Sequence, residues 1–275
     1  MKYRDAVKAF KEKGIESAEY DAAVLFCTLL NIERSVLPIV ADEDFESERL
    51  SAAVERRKEG YPLQYILGEW EFFGLSFEVN EKCLVPRPDT EILVEKAIKL
   101  LPQGAEFLEL CTGSGCIPIS ICKSRHDVKG RATELYPETL EIARRNAERH
   151  GLNDIITFVQ ADLFAPCEAK IPDGKKYDAI ISNPPYIPTD VVDVLEGEVR
   201  FEPRVALDGG GDGLDFYRVI ISEYSKYLKD DGSIILEIGY DQAAAIIDLA
   251  KSGGLDCRVF KDFGGNDRVA VITKI

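Results

Sequence analysis

The sequence has few of the side chains that build metal centres. Only two histidines occur among its 275 residues, and both lie in polar surroundings. The seven cysteines are scattered, and no two of them form a Cys-x-x-Cys pair. Clustered cysteines and histidines are the usual ligands of structural zinc. We therefore expect no metal site, and we expect reduced thiols, as in a cytoplasmic protein.

Long apolar segments are also missing. Hydrophobic residues make up 45% of the chain, but no stretch approaches the roughly 20 residues that a membrane-spanning helix needs. The segment from Met1 to Asp5 lacks the apolar core of a signal peptide. We therefore expect no membrane association, and the composition provides apolar side chains for one large domain or two small ones.

Positive charge is in short supply. The chain has 34 Lys and Arg against 49 Asp and Glu, which gives a formal net charge of −15 and a pI near 4.7. Proteins that bind nucleic acid mainly through its phosphates need clustered Lys and Arg. The composition disfavours such a protein. A few cations lie between Lys123 and Arg131, where a solvated loop explains them equally well.

The N-terminal part of the chain has helical patterning. Apolar residues recur at helical spacing in residues 18–30 and 50–57. Aromatic and β-branched residues then surround Gly74, which is typical of a hairpin. We predict a helical domain at residues 1–70 and a β-hairpin linker at residues 71–88.

From residue 89 to residue 275, strand-like and helix-like segments alternate. The predicted strands are 107–110, a short one that ends at Glu134, 156–160, 177–181, 233–238, 257–260 and 268–273. One predicted helix follows a cap at Thr90, and two others begin at Cys116 and Pro137. Two more are predicted at residues 215–228 and 242–252. Such alternation predicts an α/β fold with a doubly wound, mostly parallel sheet of seven strands, covered by helices on both faces. A sheet of this kind binds its ligand at the carboxyl ends of its strands.

The sequence Asn-Pro-Pro-Tyr at residues 183–186 marks the end of one predicted strand. Prolines cannot donate backbone hydrogen bonds, so the sheet ladder ends there. A residue before proline is extended, which directs the Asn183 side chain outward from the strand tip. Its oxygen and the Pro184 carbonyl form a rigid pair of acceptors, and Tyr186 adds a flat face. Such a group can bind both hydrogens of a planar NH2 and stack on its plane.

Glycines follow another strand end, in residues 111–115. Gly113 and Gly115 allow a tight turn and a close approach of the backbone to a ligand. The next strand ends at Glu134, about 20 residues further on, where a carboxylate can accept hydrogen bonds from both ribose hydroxyls. No third glycine and no P-loop lysine accompany this pattern. The combination favours an adenosine ligand without phosphates, although Glu134 can also be a surface carboxylate before a helix.

A further strand end carries Asp162 and Leu163. The Asp162 carboxylate can accept a hydrogen bond from an adenine amino group, and Leu163 can pack on the adenine ring. Taken alone, Asp162 is better explained as a helix cap.

These four strand-end motifs, in this order, resemble those of class I S-adenosylmethionine-dependent methyltransferases. The Asn-Pro-Pro-Tyr sequence is similar to that of enzymes that methylate adenine N6 or the glutamine side-chain amide. Further stretches resemble the HemK/PrmC family, the release-factor glutamine methyltransferases, and the resemblance covers nearly all of the chain from about residue 60. These stretches are 62–68, 72–74, 84–91, 201–210, 212–214, 236–239 and 262–268.

The resemblance implies a reaction and a set of site residues. S-adenosyl-L-methionine would donate the methyl group to the glutamine of the Gly-Gly-Gln loop in a peptide-chain release factor, leaving S-adenosyl-L-homocysteine. The N-terminal helical domain would dock this partner. The resemblance implies catalytic roles for Asn183, Pro184 and Tyr186. It also implies substrate contacts through these three residues and Pro185. The implied cofactor-binding residues are Glu109, Cys111, Thr112, Gly113, Ser114, Gly115, Glu134, Asp162, Leu163 and Asn183.

Two positions depart from the pattern of the family. Cys111 stands where the family usually has glycine, and its lack of glycine's conformational freedom is expected to weaken cofactor binding slightly. Glu134 stands where Asp is usual, and its longer side chain can make the same bidentate contact. Arg87 and residues 202–204 are expected to frame the pocket wall without a catalytic role.

Two other functions fit parts of the pattern. An adenine-N6 methyltransferase acting on DNA or RNA would share the Asn-Pro-Pro-Tyr motif, but the acidic charge and the family-like linker argue against it. A non-catalytic adaptor on a decayed fold would not need residues 183–186, Gly113 and Glu134 intact. We therefore expect a cytoplasmic protein methyltransferase with no nucleic-acid substrate.

Overall fold

The computed structural model describes residues 1–166 and 171–275. The chain forms two compact units, one of Met1–Glu69 with Glu196–Phe201 and one of Trp70–Leu195 with Glu202–Ile275. The six cysteines in the described ranges are free thiols. Cys167, which was also expected to be reduced, lies outside the described residues.

The first unit is helical. Its elements are α1 (Tyr3–Glu12), α2 (Ala18–Leu30), α3 (Glu48–Lys58), α4 (Leu63–Leu67) and a 3₁₀ helix at Gly197–Phe201. The Ser47 side chain caps α3 by accepting a hydrogen bond of 3.2 Å from the Leu50 amide, which satisfies one of the unpaired amides of the first turn. Helix α4 ends at Gly68, whose φ of 79° lies in the left-handed region that favours glycine.

A buried ion pair holds the late segment 196–201 in this first unit. Arg57 is 1% exposed. Its Nε donates to Asp21 at 2.7 Å, and its guanidinium also contacts Glu198. A buried guanidinium is strongly destabilising without partners, so these two carboxylates make the burial of Arg57 tolerable.

A hairpin of β1 (Glu69–Phe72) and β2 (Leu75–Glu78) follows, at the position that the sequence predicts. Its turn residues Phe73 and Gly74 have φ angles of 52° and 70°, the left-handed geometry of tight hairpin turns. Phe72 and Phe77 are buried in the same hydrophobic cluster as residues of the main sheet. The hairpin therefore contributes to the core of the second unit.

The main sheet has seven strands, as predicted, in the order β5-β4-β3-β6-β7-β9-β8. Its strands are β3 (Glu106–Leu110), β4 (Lys129–Glu134), β5 (Ile156–Gln160), β6 (Tyr177–Ser182), β7 (Leu228–Glu237), β8 (Leu255–Lys261) and β9 (Asp267–Lys274). The helices of this unit are α5 (Thr90–Leu100), α6 (Cys116–Ser124), α7 (Pro137–Arg149), α8 (Thr189–Val192), α9 (Asp215–Val219) and α10 (Ala243–Ser252). Strands β3 to β7 pair in parallel, and β9 is antiparallel to both of its neighbours.

The strand order reverses between β3 and β6. From β3 the chain moves outward through β4 to β5, and then returns to place β6 on the other side of β3. Loops at the carboxyl ends of these two strands therefore diverge and leave a crevice, the usual ligand site of a doubly wound sheet. Successive β3 residues Phe107 and Leu108 belong to separate hydrophobic clusters, which explains why this strand is an almost continuous apolar run.

The predicted helix over 215–228 is present as one continuous helical segment to Tyr227, but its helix type changes along the way. Helix α9 ends at Val219, a π-helix follows at Ile220–Tyr224, and a 3₁₀ helix at Ser225–Tyr227 leads directly into β7. The charged residues at 229–231 are exposed, near the point where the register of β6 and β7 shifts. Their polarity hid the start of this strand, which was predicted only from residue 233. Nowhere in the described ranges is a helix long and apolar enough to cross a membrane.

Candidate active site

A cavity of about 310 Å³ opens at the carboxyl edge of the sheet. Small-molecule sites typically measure roughly 300–1,000 Å³. The cavity brings together the predicted site residues Cys111, Thr112, Gly113, Ser114, Glu134, Asp162, Leu163, Asn183 and Pro185. Its lining does not include Glu109, Gly115, Pro184 or Tyr186, and the wall is completed by residues that include Val85, Arg87, Thr90, Pro203 and Arg204.

The loop after β3 has an unusual backbone. Cys111, Gly113 and Gly115 have φ angles of 61°, 56° and 79°. A cysteine in the left-handed region is strained, which gives a physical reason for the glycine expected there. At Gly115 a Cβ would also lie 3.2 Å from the Cβ of Ala143 on α7. Gly115 therefore allows the close packing of α6 on α7, while Gly113 serves the turn alone.

Glu134, at the end of β4, is tied to three backbone amides. One carboxylate oxygen accepts from the Gly113 amide at 3.0 Å, and the other accepts from Leu135 at 2.9 Å and Tyr136 at 3.2 Å. Burial raises the pKa of Glu134, and these three hydrogen bonds oppose that rise. The carboxylate thus fixes the glycine loop to the strand end and lines the cavity in a set orientation.

Glu109 lies at the carboxyl end of β3 and is fully buried. Neither of its carboxyl oxygens, nor the Thr112 hydroxyl, makes a hydrogen bond of normal geometry among the residues that the structure describes, although the Thr112 hydroxyl is close enough to stabilise the charged form of Glu109. Burial raises the pKa of Glu109 well above its usual value. Buried polar atoms are almost always satisfied, so this group is suited to a polar ligand or an ordered water beside the glycine loop.

The segment after β5 forms a turn. Asp162 Oδ1 accepts from the Phe164 amide at 2.8 Å, so Asp162 stabilises this turn and does not cap a helix. The Leu163 carbonyl accepts from the buried Tyr224 hydroxyl at 3.1 Å, which anchors the segment. Leu163 itself is 7% exposed and lines the cavity.

Asn183 lies at the tip of β6 and lines the cavity. Its Nδ2 donates to Thr90 Oγ1 at 3.2 Å. Because the two atoms of a side-chain amide point in different directions, this contact leaves Oδ1 available for another donor. Thr90 was predicted to cap α5, but the helix begins at Thr90 itself and has no side-chain cap. The Thr90 hydroxyl accepts from Asn183 instead.

Tyr186 is fixed by two hydrogen bonds and by close packing of two glycines against its backbone. Its hydroxyl donates to Glu237 Oε1 at 3.5 Å, and its carbonyl accepts from Gln242 Nε2 at 2.9 Å. A Cβ at Gly209 would lie 2.7 Å from Tyr186 Cα, and one at Gly213 only 2.4 Å from the Tyr186 carbonyl oxygen. Burial raises the pKa of Tyr186 to about 12, so the phenol stays neutral.

The buried Glu202 supports another part of the cavity wall. Glu202 accepts from the Val85 amide at 3.2 Å and pairs with Arg87. These contacts place Pro203 and Arg204 at the cavity, in the framing position that the sequence suggested. Thr90, which contacts Asn183, and Glu237, which contacts Tyr186, are polar residues whose contacts the sequence did not reveal. The stretches 84–91 and 236–239 marked their positions, but Thr90 was predicted only as a helix cap and Glu237 had no predicted role.

In comparisons with known proteins, both the N-terminal and the C-terminal part of the chain match a protein family. Residues 3–68 match the PrmC N-terminal domain, and residues 88–197 match the methyltransferase small domain. The chain is 40% identical to the release factor glutamine methyltransferase of Geobacter sulfurreducens, over 94% of this chain and 90% of the relative. It is 37% identical to that of Aquifex aeolicus, over 94% and 92%. A methyltransferase structure from Pyrococcus furiosus shares the fold, with a TM-score of 0.55 at 23% identity over 82% of this chain and 98% of that one.

Proposed function

Because the chain belongs to the release factor glutamine methyltransferase family, we propose that it methylates a glutamine side-chain amide in a peptide-chain release factor. The methyl donor is S-adenosyl-L-methionine, and the product is N5-methylglutamine. The acceptor is the glutamine of the Gly-Gly-Gln loop, and the reaction takes place in the cytoplasm.

The residues around the cavity fit this donor. Thr112 lines the cavity, and its hydroxyl makes no hydrogen bond of normal geometry in the described part of the chain, so a polar atom of a ligand beside the loop would satisfy it. The carboxylate of Glu134 is fixed at the cavity by the Gly113 amide, and we assign the ribose hydroxyls to it. We assign the adenine to Asp162 and Leu163, which line the same cavity. The cofactor, when bound, supplies an electrophilic methyl group on a sulfonium.

The observation that carries the proposal is the orientation of Asn183. Its Nδ2 is engaged by Thr90, and its Oδ1 is left to accept one hydrogen of an incoming amide NH2. We assign the second hydrogen to the Pro184 carbonyl, and the face of the amide to Tyr186. A carboxamide nitrogen is a poor nucleophile, because its lone pair is delocalised into the carbonyl. Two acceptors that orient the nitrogen favour the positive charge that develops on it.

The proposed methyl transfer needs no catalytic base. A nitrogen–carbon bond forms, the sulfur–carbon bond breaks, and one amide proton is lost to water once alkylation makes it acidic. Tyr186 remains a neutral phenol, because its pKa is raised to about 12. The residues of this chain therefore position the amide, and proton removal follows methyl transfer.

The helical unit is the proposed docking surface for the body of the release factor. Its residues 3–68 match the PrmC N-terminal domain. The net charge of −15 disfavours nucleic acid as the alternative substrate.

One labelling experiment tests this function. The full chain is incubated with methyl-labelled S-adenosyl-L-methionine and either a purified release factor or total nucleic acid, and the labelled product is identified by mass spectrometry. We expect one methyl group on the Gly-Gly-Gln glutamine. Labelled adenine in DNA or RNA, with an unlabelled factor, would overturn the proposal.

Asn183→Ala should lower kcat by a factor on the order of 10²–10³, the usual effect of removing one polar contact to a developing charge. Asn153→Ala is the matched control, since Asn153 is exposed in a turn of the same unit. The melting temperature of both variants should stay near that of the unmodified protein. Near-normal turnover of Asn183→Ala would remove Asn183 from this role.

A further inference from the structure

The first residue of helix α5 contacts the proposed methyl-acceptor site. Thr90 is 2% exposed, and its Oγ1 accepts a hydrogen bond from Asn183 Nδ2 at 3.2 Å. These two residues are 93 positions apart in the sequence. The contact is therefore built by the sheet and its helices.

A buried carboxyl group lies near the Thr90 hydroxyl. Glu237 ends β7, is 2% exposed, and accepts from the Tyr186 hydroxyl through Oε1 at 3.5 Å. Its other oxygen, Oε2, is buried and makes no hydrogen bond in the described part of the chain. The Thr90 hydroxyl is close enough to Glu237 to stabilise its charged form.

The chemistry of these groups sets the direction of the hydrogen bonds. Glu237 Oε2 has no hydrogen-bond partner among the described residues, and an ionised carboxylate only accepts, so the nearby Thr90 hydroxyl can turn its single hydrogen towards Glu237. The Thr90 oxygen is then left to accept, and it takes a hydrogen from Asn183 Nδ2. The amide of Asn183 is held with its nitrogen towards Thr90 and its oxygen away from it. The opposite orientation would set the NH2 of Asn183 against the NH2 of the acceptor glutamine, donor against donor.

We propose that Thr90 is a positioning residue for methyl transfer, which fixes the side-chain amide of Asn183 so that Oδ1 faces the acceptor nitrogen, and that the Glu237 carboxylate sets this direction. The inference rests on the proposed function, since the acceptor is the amide of a glutamine. Thr90 acts through Asn183 and does not itself touch the reacting atoms.

Protonation of Glu237 would remove the constraint, because a carboxylic acid can donate to Thr90. Burial raises the pKa of Glu237 to about 7, against the lowering effects of Thr90, Arg268 and Tyr186. The other ionisable groups that interact with Glu237 are Asp89, which raises its pKa, and Tyr217 and Cys116. The active form is the carboxylate, so kcat should be retained above this pKa and should fall as the pH drops through about 7.

Three variants of the full chain test the inference. Thr90→Val keeps the shape and removes the hydroxyl, Thr90→Ser keeps the hydroxyl, and Ser120→Ala removes a hydroxyl that is buried and has no partner in the described residues. We expect Thr90→Val to lose roughly 10- to 100-fold in kcat, as misorientation of a reacting group does. The KM for S-adenosyl-L-methionine and the melting temperature should change little. Thr90→Ser should recover most of kcat, and Ser120→Ala should match the unmodified protein.

A second measurement needs no methyl acceptor. In ¹⁵N and ¹³C NMR, Thr90→Val should shift the Asn183 side-chain amide protons and raise the pKa of Glu237, whereas Thr90→Ser should preserve both. Unchanged NMR signals, or equal kcat in Thr90→Val and the unmodified protein, would overturn the inference. If the unmodified protein fails to label a release factor, the proposed function fails, and the NMR signals still decide whether Thr90 orients Asn183.

Discussion

At the scale of single residues, Glu134 combines a structural contact with a proposed ligand contact. Its carboxylate accepts from the Gly113 amide, which ties down the glycine loop, and from the amides of Leu135 and Tyr136. We propose that the same group binds the ribose hydroxyls. A bound ligand would therefore find this carboxylate already oriented, and little side-chain freedom would be lost on binding.

Replacement of Glu134 by Ala should weaken the binding of S-adenosyl-L-methionine. The ribose loses a charged acceptor and the loop loses its tie, which together correspond to about 1.5–3 kcal/mol, or roughly a 10- to 100-fold increase in Kd. Glu138→Ala is the control for charge, since Glu138 is exposed in the first turn of α7. Isothermal titration calorimetry measures the Kd of both variants for S-adenosyl-L-methionine. Equal affinities in the two variants would mean that the adenosine binds elsewhere.

At the scale of elements, the sequence predicted where three of the parallel strands end. The ends of β4, β5 and β6 lie within one residue of their predicted positions, because each of these strands ends at a polar residue, namely Glu134, Gln160 and Ser182. The contact of Thr90 with Asn183 spans 93 residues, and that of Tyr186 with Glu237 spans 51. No local pattern encodes such pairs, so the orientation of Asn183 could not be predicted before the sheet was assembled.

The glycines after residue 208 give a test of how one element positions another. Gly213 has a φ of 74°, and a Cβ there would lie 2.4 Å from the Tyr186 carbonyl oxygen. Gly213→Ala should displace Tyr186 and lower kcat by about tenfold or more. Gly254 has a similar φ of 71° but no atom within 4 Å of its Cβ position, so Gly254→Ala is the matched control for backbone strain. If both variants lose the same activity, then strain alone explains the effect and the contact with Tyr186 is unimportant.

At the scale of the whole molecule, the chain leaves the methyltransferase unit at Leu195 and re-enters it at Glu202. The intervening residues belong to the helical unit, where the buried Arg57 contacts Glu198. No composition change marks this segment, which is why the sequence predicted one boundary near residue 70 and no second crossing. The helical unit thus includes residues that follow the Asn-Pro-Pro-Tyr sequence in the chain, as well as those that precede it.

The division of the chain into two units leads to a prediction about substrate size. If the helical unit docks the body of the release factor, that contact supplies binding energy far from the reacting amide. A short Gly-Gly-Gln peptide lacks this contact, and the full chain should methylate it with a kcat/KM lower by roughly 10²-fold or more than for the intact factor. Mass spectrometry of both substrates under identical conditions measures the ratio. A factor with its Gly-Gly-Gln glutamine replaced serves as the control, since it should inhibit peptide methylation by occupying the docking surface. Equal turnover of peptide and factor, with no such inhibition, would refute docking by the helical unit.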